Sequence, residues 1–390
     1  MWKYIRYFMM PTLLVATIAG FMLGGQWLWF GFSLTLVGVV GGDAIAGRDL
    51  KTPVYGQTWI FNFVQMVLNF ALLLVMLIVF AWMLGRPGSD FLGLGMFVKS
   101  LSGWDMQAAR AATSGWDIAG GVLACGLLGA TSGTANGHDL THRTWDKTAM
   151  LIGRWMLAIS GDASFAIEHV YGHHVNVGTP KDPATAKRGE NIYAFVIRST
   201  VFSYLSAWKI EKERLAKRGL PVWSWRNRMH TGNLMTLTYF VLFYLAAGWF
   251  GVCIYLITML WTKSILEFVN YFEHYGIVRV PGTKVEPRHS WNSNQRISGF
   301  VLYNLTRHSH HHAEADVPFW ELRPYPDAPM LNYGYLTMIL IGLVPPLYKR
   351  MMIPKLKDWD QHFATPAERK LAKDANLASG IPDLMNTVSA

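Results

Sequence analysis

Apolar positions along this chain come in long blocks divided by polar stretches, too continuous for the surface helices or half-buried strands of a soluble fold. The first block, "MMPTLLVATIAGFMLGGQWLWFGFSLTLVGVV" (9–40), exceeds the roughly 20 residues that one bilayer crossing needs. Its Gly24-Gly25 pair predicts two helices in a tight hairpin. A polar loop at 41–56 leads to a third span at 58–85. Residues 88–115 read as an external loop, and a fourth span follows at 116–136. Residues 233–273 give a fifth and a sixth span, parted near Gly248 and Gly251. The stretch "YGYLTMILIGLVPPLY" (333–348) is apolar but short and ends in Pro-Pro, so it should pack against protein or lie at the interface. The first block lacks a small-residue cleavage site and a polar start behind it, which argues against a cleaved signal peptide.

The expected fold is therefore an all-α integral membrane protein with six transmembrane helices and a histidine-rich helical cap. Residues 1–136 carry spans one to four, 137–232 a first polar region, 233–273 spans five and six, and 274–390 a second polar region. Composition agrees: the 390 residues are 52% hydrophobic and only 15% charged, with 17 Trp, 21 Phe and 19 Met. Cys125 and Cys253 both lie in apolar runs, which excludes a disulfide framework and a cysteine metal site. A net charge of +10 suits nucleic acid in a soluble protein, but in a membrane protein it points to basic cytoplasmic loops. Residues 138–230 hold fourteen Lys/Arg against eight Asp/Glu, whereas 86–115 has only Arg86, Lys99 and Arg110 as cations. This bias places the long polar regions in the cytoplasm. No nucleic-acid partner is expected.

All thirteen histidines fall between His138 and His362, after the fourth span. His138 and His142 in "NGHDLTHR" stand four apart, so one helical face can offer both rings to one metal. His169, His173 and His174 form "EHVYGHHVN", and His308, His311 and His312 lie in "RHSHHHAE". Adjacent helical residues diverge by about 100°, so each His-His pair can serve two metals. In the sixth span Lys263, Glu267, Asn270 and His274 make a polar stripe on one face, costly at membrane depth unless it pairs or functions. Nine imidazoles exceed what one metal takes, and two metals with four or five ligands each would fit. Imidazole suits Fe, Cu, Ni and Zn alike, so ligand type leaves the metal open. His230, His289 and His362 stand apart and read as structural or surface residues. Asn62, Gln65 and Asn69 in the third span read as helix–helix hydrogen bonding.

The order HxxxH, HxxxHH, HxxHH resembles the membrane fatty-acid desaturase and hydroxylase superfamily. The strings "IEHVYGHHVNVGTPKDPATAKRGENIY", "SAWKIEKERLAKRG", "NYFEHYG", "PRHSWNSN" and "NLTRHSHHHA" narrow the resemblance to its alkane and xylene monooxygenase branch, over residues 40–365. That resemblance implies two non-haem iron ions, with the nine histidines His138, His142, His169, His173, His174, His274, His308, His311 and His312 as ligands. It implies O2-dependent hydroxylation of a terminal or benzylic methyl group on an n-alkane or alkyl-aromatic hydrocarbon taken from the bilayer. It further implies a rubredoxin or ferredoxin-type electron donor with an NAD(P)H-dependent reductase, in a bacterial cytoplasmic membrane. The basic stretch 138–230 would suit an acidic donor.

Two positions depart from the usual pattern. Asp139 replaces a Glu in the first box, and His310 stands where the alkane enzymes usually carry Asp. The i+2 direction of His310 from His308 turns it off the ligand face, so it is assigned to the outer sphere with Asp139, Glu168, Glu267 and Glu273. An apolar channel ending at the metals is expected. Rival readings are an acyl-chain desaturase or hydroxylase sharing the iron site, and a histidine-rich metal transporter with ligands near mid-membrane.

Overall fold

The computed structural model describes residues 2–386 and is helical throughout, with two isolated β-bridges, Arg48 to Gln295 and Asn292 to Met330, and no strand among the described residues. Five helices are long and apolar enough to cross a membrane: α1 (Lys3–Leu23), α2 (Gly25–Ala46), α3 (Trp59–Met83), α4 (Gly115–His142) and the 46-residue α8 (Arg228–Glu273). Between the last two lie α5 (Lys147–Ala158), α6 (165–176) and α7 (Ile192–Ala216). The histidine-bearing α10 (His308–Ala313) follows α9 (Arg296–Val301), and α11 (Tyr335–Gly342), α12 (Pro345–Asp358) and α13 (Pro366–Ala378) close the cap.

The expected hairpins form where glycine permits them. Gly24 adopts φ 70° and Gly25 φ 54°, and a Cβ on Gly24 would meet the Ala109 carbonyl at 2.5 Å. Within α8, Gly248 takes φ 63° and ψ −151°, a conformation essentially confined to glycine. The chain folds back there, so that Phe243 stacks on Tyr255 with ring centroids 4.7 Å apart. This turn makes α8 two spans and brings the crossings to six.

Exposed apolar side chains mark the lipid-facing band on α8: Leu234, Leu237, Val241 and Leu245 on the first arm, Leu256, Ile257 and Leu260 on the second. In contrast, α4 is the central helix, with 83% of its most apolar window buried. It runs past the expected end near residue 136 to His142, through a π-helical segment Gly129–Thr134, because tertiary packing encloses it on all sides. The 88–115 loop contains two short helices, Leu94–Ser102 and Met106–Ala111, the second capped by Asp105. The short apolar stretch 333–348 packs as expected: Tyr335, Leu336, Met338 and Ile339 are buried, and the chain turns by 119° before α12.

Candidate metal centre

Four elements carry the nine histidines to one place at the lower end of α4 and α8. They sort into two groups. His138, His142, His169, His174 and His311 bring one ring nitrogen each to within 4.8 Å of one another, and His173, His274 and His312 do the same beside them. His308 joins the second group through His274, Nε2 to Nε2 at 3.1 Å. In α10, His308 and His312 share a face while His311 points to the first group, as i, i+4 and i+3 positions allow.

Local backbone geometry makes the split in α6. Residues His169–His173 form a π-helical turn, with the His174 N–H bonded to the His169 carbonyl. An α-helix would splay residues five apart by about 140°. The wider turn instead aligns His169 with His174, whose Nε2 atoms lie 3.0 Å apart, and sends His173 to the other group. π-turns of this kind are frequent at functional sites.

Hydrogen bonding among the rings does not account for the arrangement. His169 Nε2 lies 2.7 Å from His138 Nε2 and 3.0 Å from His174 Nε2, and His311 Nε2 lies 3.1 Å from the same His174 atom. A neutral imidazole nitrogen carries one N–H or one lone pair, so the Nε2 atoms of His169 and His174, each facing two ring nitrogens, cannot make both contacts as aligned hydrogen bonds. His142 Nε2, His173 Nε2 and both nitrogens of His312 are buried without any partner. Burial is also the main force pushing His169, His174, His274, His308, His311 and His312 below the usual imidazole range, with nearby imidazoles adding to it. The neutral form this favours is the one that ligates metals. Ring nitrogens about 3 Å apart match adjacent donors around an ion with bonds of about 2.1 Å. The donor set therefore fits two cations, one in a five-imidazole nest and one in a four-imidazole nest.

A narrow cleft rises from these rings into the bundle. Ala130, Thr131, Thr134 and Ala135 of α4 face Ile265, Leu266 and Val269 of α8, with Leu302, Leu305, Leu336 and Ile339 closing the sides. The hydroxyls of Thr131 and Thr134 bond to the carbonyls of Leu127 and Ala130, so each threonine can leave its methyl group to the void. The cleft ends on His138 and His169 of the first group and on His308 and Glu273 at the second.

The fatty acid desaturase family profile matches residues 114–341, more than half of the chain, and takes in all nine histidines. The chain belongs to this family. Among its relatives are the alkane 1-monooxygenase 1 of Pseudomonas aeruginosa, 37% identical over 257 residues (64% of this chain, 67% of the relative), and the alkane 1-monooxygenase of Pseudomonas putida, 39% identical over 246 residues (60% and 59%). The xylene/toluene monooxygenase hydroxylase component XylM of Pseudomonas putida is 31% identical over 388 residues, covering 97% of this chain and 96% of the relative.

Within this desaturase-family site, the outer residues divide. Among the acids singled out in the sequence, Glu273 touches a clustered ring: its Oε1 accepts from Tyr335 Oη at 2.5 Å and lies 3.2 Å from His308 Nδ1, without the alignment of a hydrogen bond. Asp139 instead bonds to Arg143 (2.7 Å) and Gln65 (3.1 Å), and Glu168 accepts from Ser206. Glu267 and Asp162 together clasp the buried Lys263. Arg143 reaches Asn62 and Gln65, and Asn69 donates to Tyr303. The third-span stripe thus ties α3 to its neighbours, as its spacing suggests.

His310 turns away from both groups. Its Nδ1 accepts the Arg323 N–H at 2.8 Å, and its ring packs on Tyr325. His289 is held by the Glu286 N–H and by Glu368, His230 stacks against Trp223, and the exposed His362 pairs with Asp358. Sequence reasoning missed Asp182, whose Oδ2 meets His173 Nδ1 at 2.9 Å and fixes which nitrogen faces the cluster. It lies nine residues beyond His173 in a turn with no periodic signal, although its place in "GTPKDPATAKRGE" was within a string already noted. Tyr335, sixty-two residues from Glu273, was beyond any local pattern.

Proposed function

We propose that this protein is a membrane monooxygenase that hydroxylates the terminal methyl of an n-alkane or the methyl of an alkyl-substituted aromatic hydrocarbon to a primary alcohol. The observation that carries the reading is an apolar cleft that ends on a double nest of nine imidazoles. His138, His142, His169, His174 and His311 would hold one iron ion, and His173, His274, His308 and His312 the other. Bound iron would supply the activation of O2 and the oxidation of the C–H bond.

The chain's own residues do the rest. Asp182 orients His173, and Glu273, itself held by Tyr335, stands behind His308; such outer partners set ring direction and basicity. The apolar walls select a hydrocarbon by shape, since each methylene is worth only about 1–3 kcal/mol in such a pocket. They also keep water from the reacting carbon. The cleft lies among the spanning helices, and a substrate without a polar handle concentrates in the surrounding lipid, from which it would enter. Electrons would come from a rubredoxin or ferredoxin-type protein with its NAD(P)H-dependent reductase. The basic stretch 138–230 and the sparsely charged opposite loop support a cytoplasmic position for the histidines in a bacterial inner membrane.

The test is whole-cell conversion with product identification by gas chromatography and mass spectrometry. Cells co-express a rubredoxin or ferredoxin system and receive n-octane, p-xylene or a saturated fatty acid, with His312→Ala as control. A 1-alkanol or benzylic alcohol missing from the control supports the reading and selects the substrate. An unsaturated acyl product would assign the protein to desaturation instead.

A further inference from the structure

The helix α7 buries one side in the protein and leaves an apolar row uncovered. Tyr193, Ile197, Val201 and Leu205 recur every four residues and are 52%, 69%, 48% and 54% exposed. Residues at that spacing form one ridge along a helix. The same row continues as Lys209 and Glu213, so its apolar part ends abruptly after four members. An uncovered apolar ridge of this length calls for a partner.

The contacts at either end of α7 fix its attitude. At its start, Phe195 packs on Tyr271 with centroids 5.4 Å apart, and Tyr271 Oη donates to the Glu190 carbonyl. Toward its end, Asn233 donates to Tyr204 Oη at 3.1 Å, and Glu211 pairs with Arg228. Tyr271 is at the foot of the second arm of α8, and residues 228–233 are at the foot of the first. The 25-residue helix, about 37 Å long at 1.5 Å per residue, therefore lies across the feet of two membrane spans. The lipid-facing band of α8 begins at Leu234, next to the Asn233 that touches Tyr204.

Two further features continue the ridge. Tyr193 Oη donates to the Leu343 carbonyl, at a corner where Leu340, Val344 and Leu347 are also exposed and where α11 and α12 together are apolar enough for a broken span. At the other end Trp208 meets His230, which stacks on Trp223; Trp223 and Trp225 are 83% and 80% exposed, beside Lys217, Arg218 and Arg226. Tryptophan among cations is the composition of the bilayer's headgroup zone, and cations there favour anionic lipid.

We propose that α7 is an interfacial helix whose Tyr193–Ile197–Val201 ridge lies in the phospholipid surface of the leaflet on the histidine side, with Trp223 and Trp225 as its second anchor. The occupant is lipid because the ridge is continuous with exposed apolar surface at the spans and an aromatic, basic cluster lies beside its far end. Interfacial helices of this kind sink their apolar face by roughly 5–10 Å. The second half of α7, with Lys209 and Glu213, leaves the surface.

Single cysteines at residues 197, 201 and 212, introduced as Ile197→Cys, Val201→Cys and Lys212→Cys in a Cys253→Ser background, test this in the full-length protein. Each is fluorescently labelled and placed in nanodiscs of phosphatidylcholine and phosphatidylglycerol, with or without 5-doxyl phosphatidylcholine. Metal content and a monodisperse elution profile check that each variant folds. Labels at 197 and 201 are expected to be quenched several-fold more by the doxyl lipid than the label at 212, and shielded from aqueous iodide. Trp223→Ala with Trp225→Ala should reduce the quenching at 201. Iodide reaching all three labels equally would overturn the proposal. So would shielding of 197 and 201 that appears only on adding the reduced electron donor, which would give the ridge to a protein.

Discussion

At the scale of single residues, the two His-His pairs show how one segment serves two nests. His173 and His174 part company, as do His311 and His312, because adjacent helical side chains point in different directions. If Asp182 holds His173 in its tautomer, Asp182→Asn should lower metal affinity by about 10–100-fold, read by metal analysis after dialysis against a chelator. His310→Ala should leave metal content unchanged. It removes a half-buried hydrogen bond from the Arg323 N–H and should cost about 0.5–1.5 kcal/mol in thermal or denaturant unfolding. Glu368 supplies a pH test. Burial alone would raise its carboxyl, but the Thr365 N–H, His289 and Arg288 outweigh that and hold it at about 2. A carboxyl depressed in the folded state adds stability above its unfolded value, about 4.3, and loses that contribution as pH falls toward 2. Glu368→Gln should flatten this part of the stability profile, followed by melting temperature across the acid range.

The elements place these residues by close approach and by deviations from regular helix. On α4 and α5 the backbones nearly touch: a Cβ on Gly137 would meet the Gly153 carbonyl at 2.8 Å, and one on Gly153 would meet that of Gly137 at 3.0 Å. Gly153→Val should push α5 off α4 and carry α6, with its three histidines, out of register. Loss of bound metal with helical content retained, seen by circular dichroism, would confirm the coupling. Three of the four π-helical segments among the described residues, Phe63–Asn69, Gly129–Thr134 and His169–His173, lie along the helices that hold the site, and the last of these aligns two rings five residues apart. Apolar periodicity carries no trace of such a turn, because inserting one hydrogen-bond step alters direction without altering composition. The tight turn at Gly248 was legible, because glycine is the residue that such a φ and ψ require.

Across the whole molecule, the cleft depends on five separated segments, none of which reads as a pocket by itself. Residues from α4, α6, α8, the turn before α10 and α11 converge at the imidazoles. Leu266→Trp should fill the void and suppress conversion of hydrocarbon while iron content stays near that of the unmodified protein, which separates blocked access from a lost centre. Hydrophobic blocks, their breaking glycines and the histidine spacings were enough to determine six crossings, a cap and the nine clustered rings, because these signals are local and repeat along the chain. The sorting into five and four imidazoles, the pairing of Asp182 with His173, Tyr335 behind Glu273, and the turning away of His310 were decided only by tertiary structure. Each rests on atoms brought together from distant segments or on a helical turn set by packing, and direction in space is what a linear pattern cannot carry.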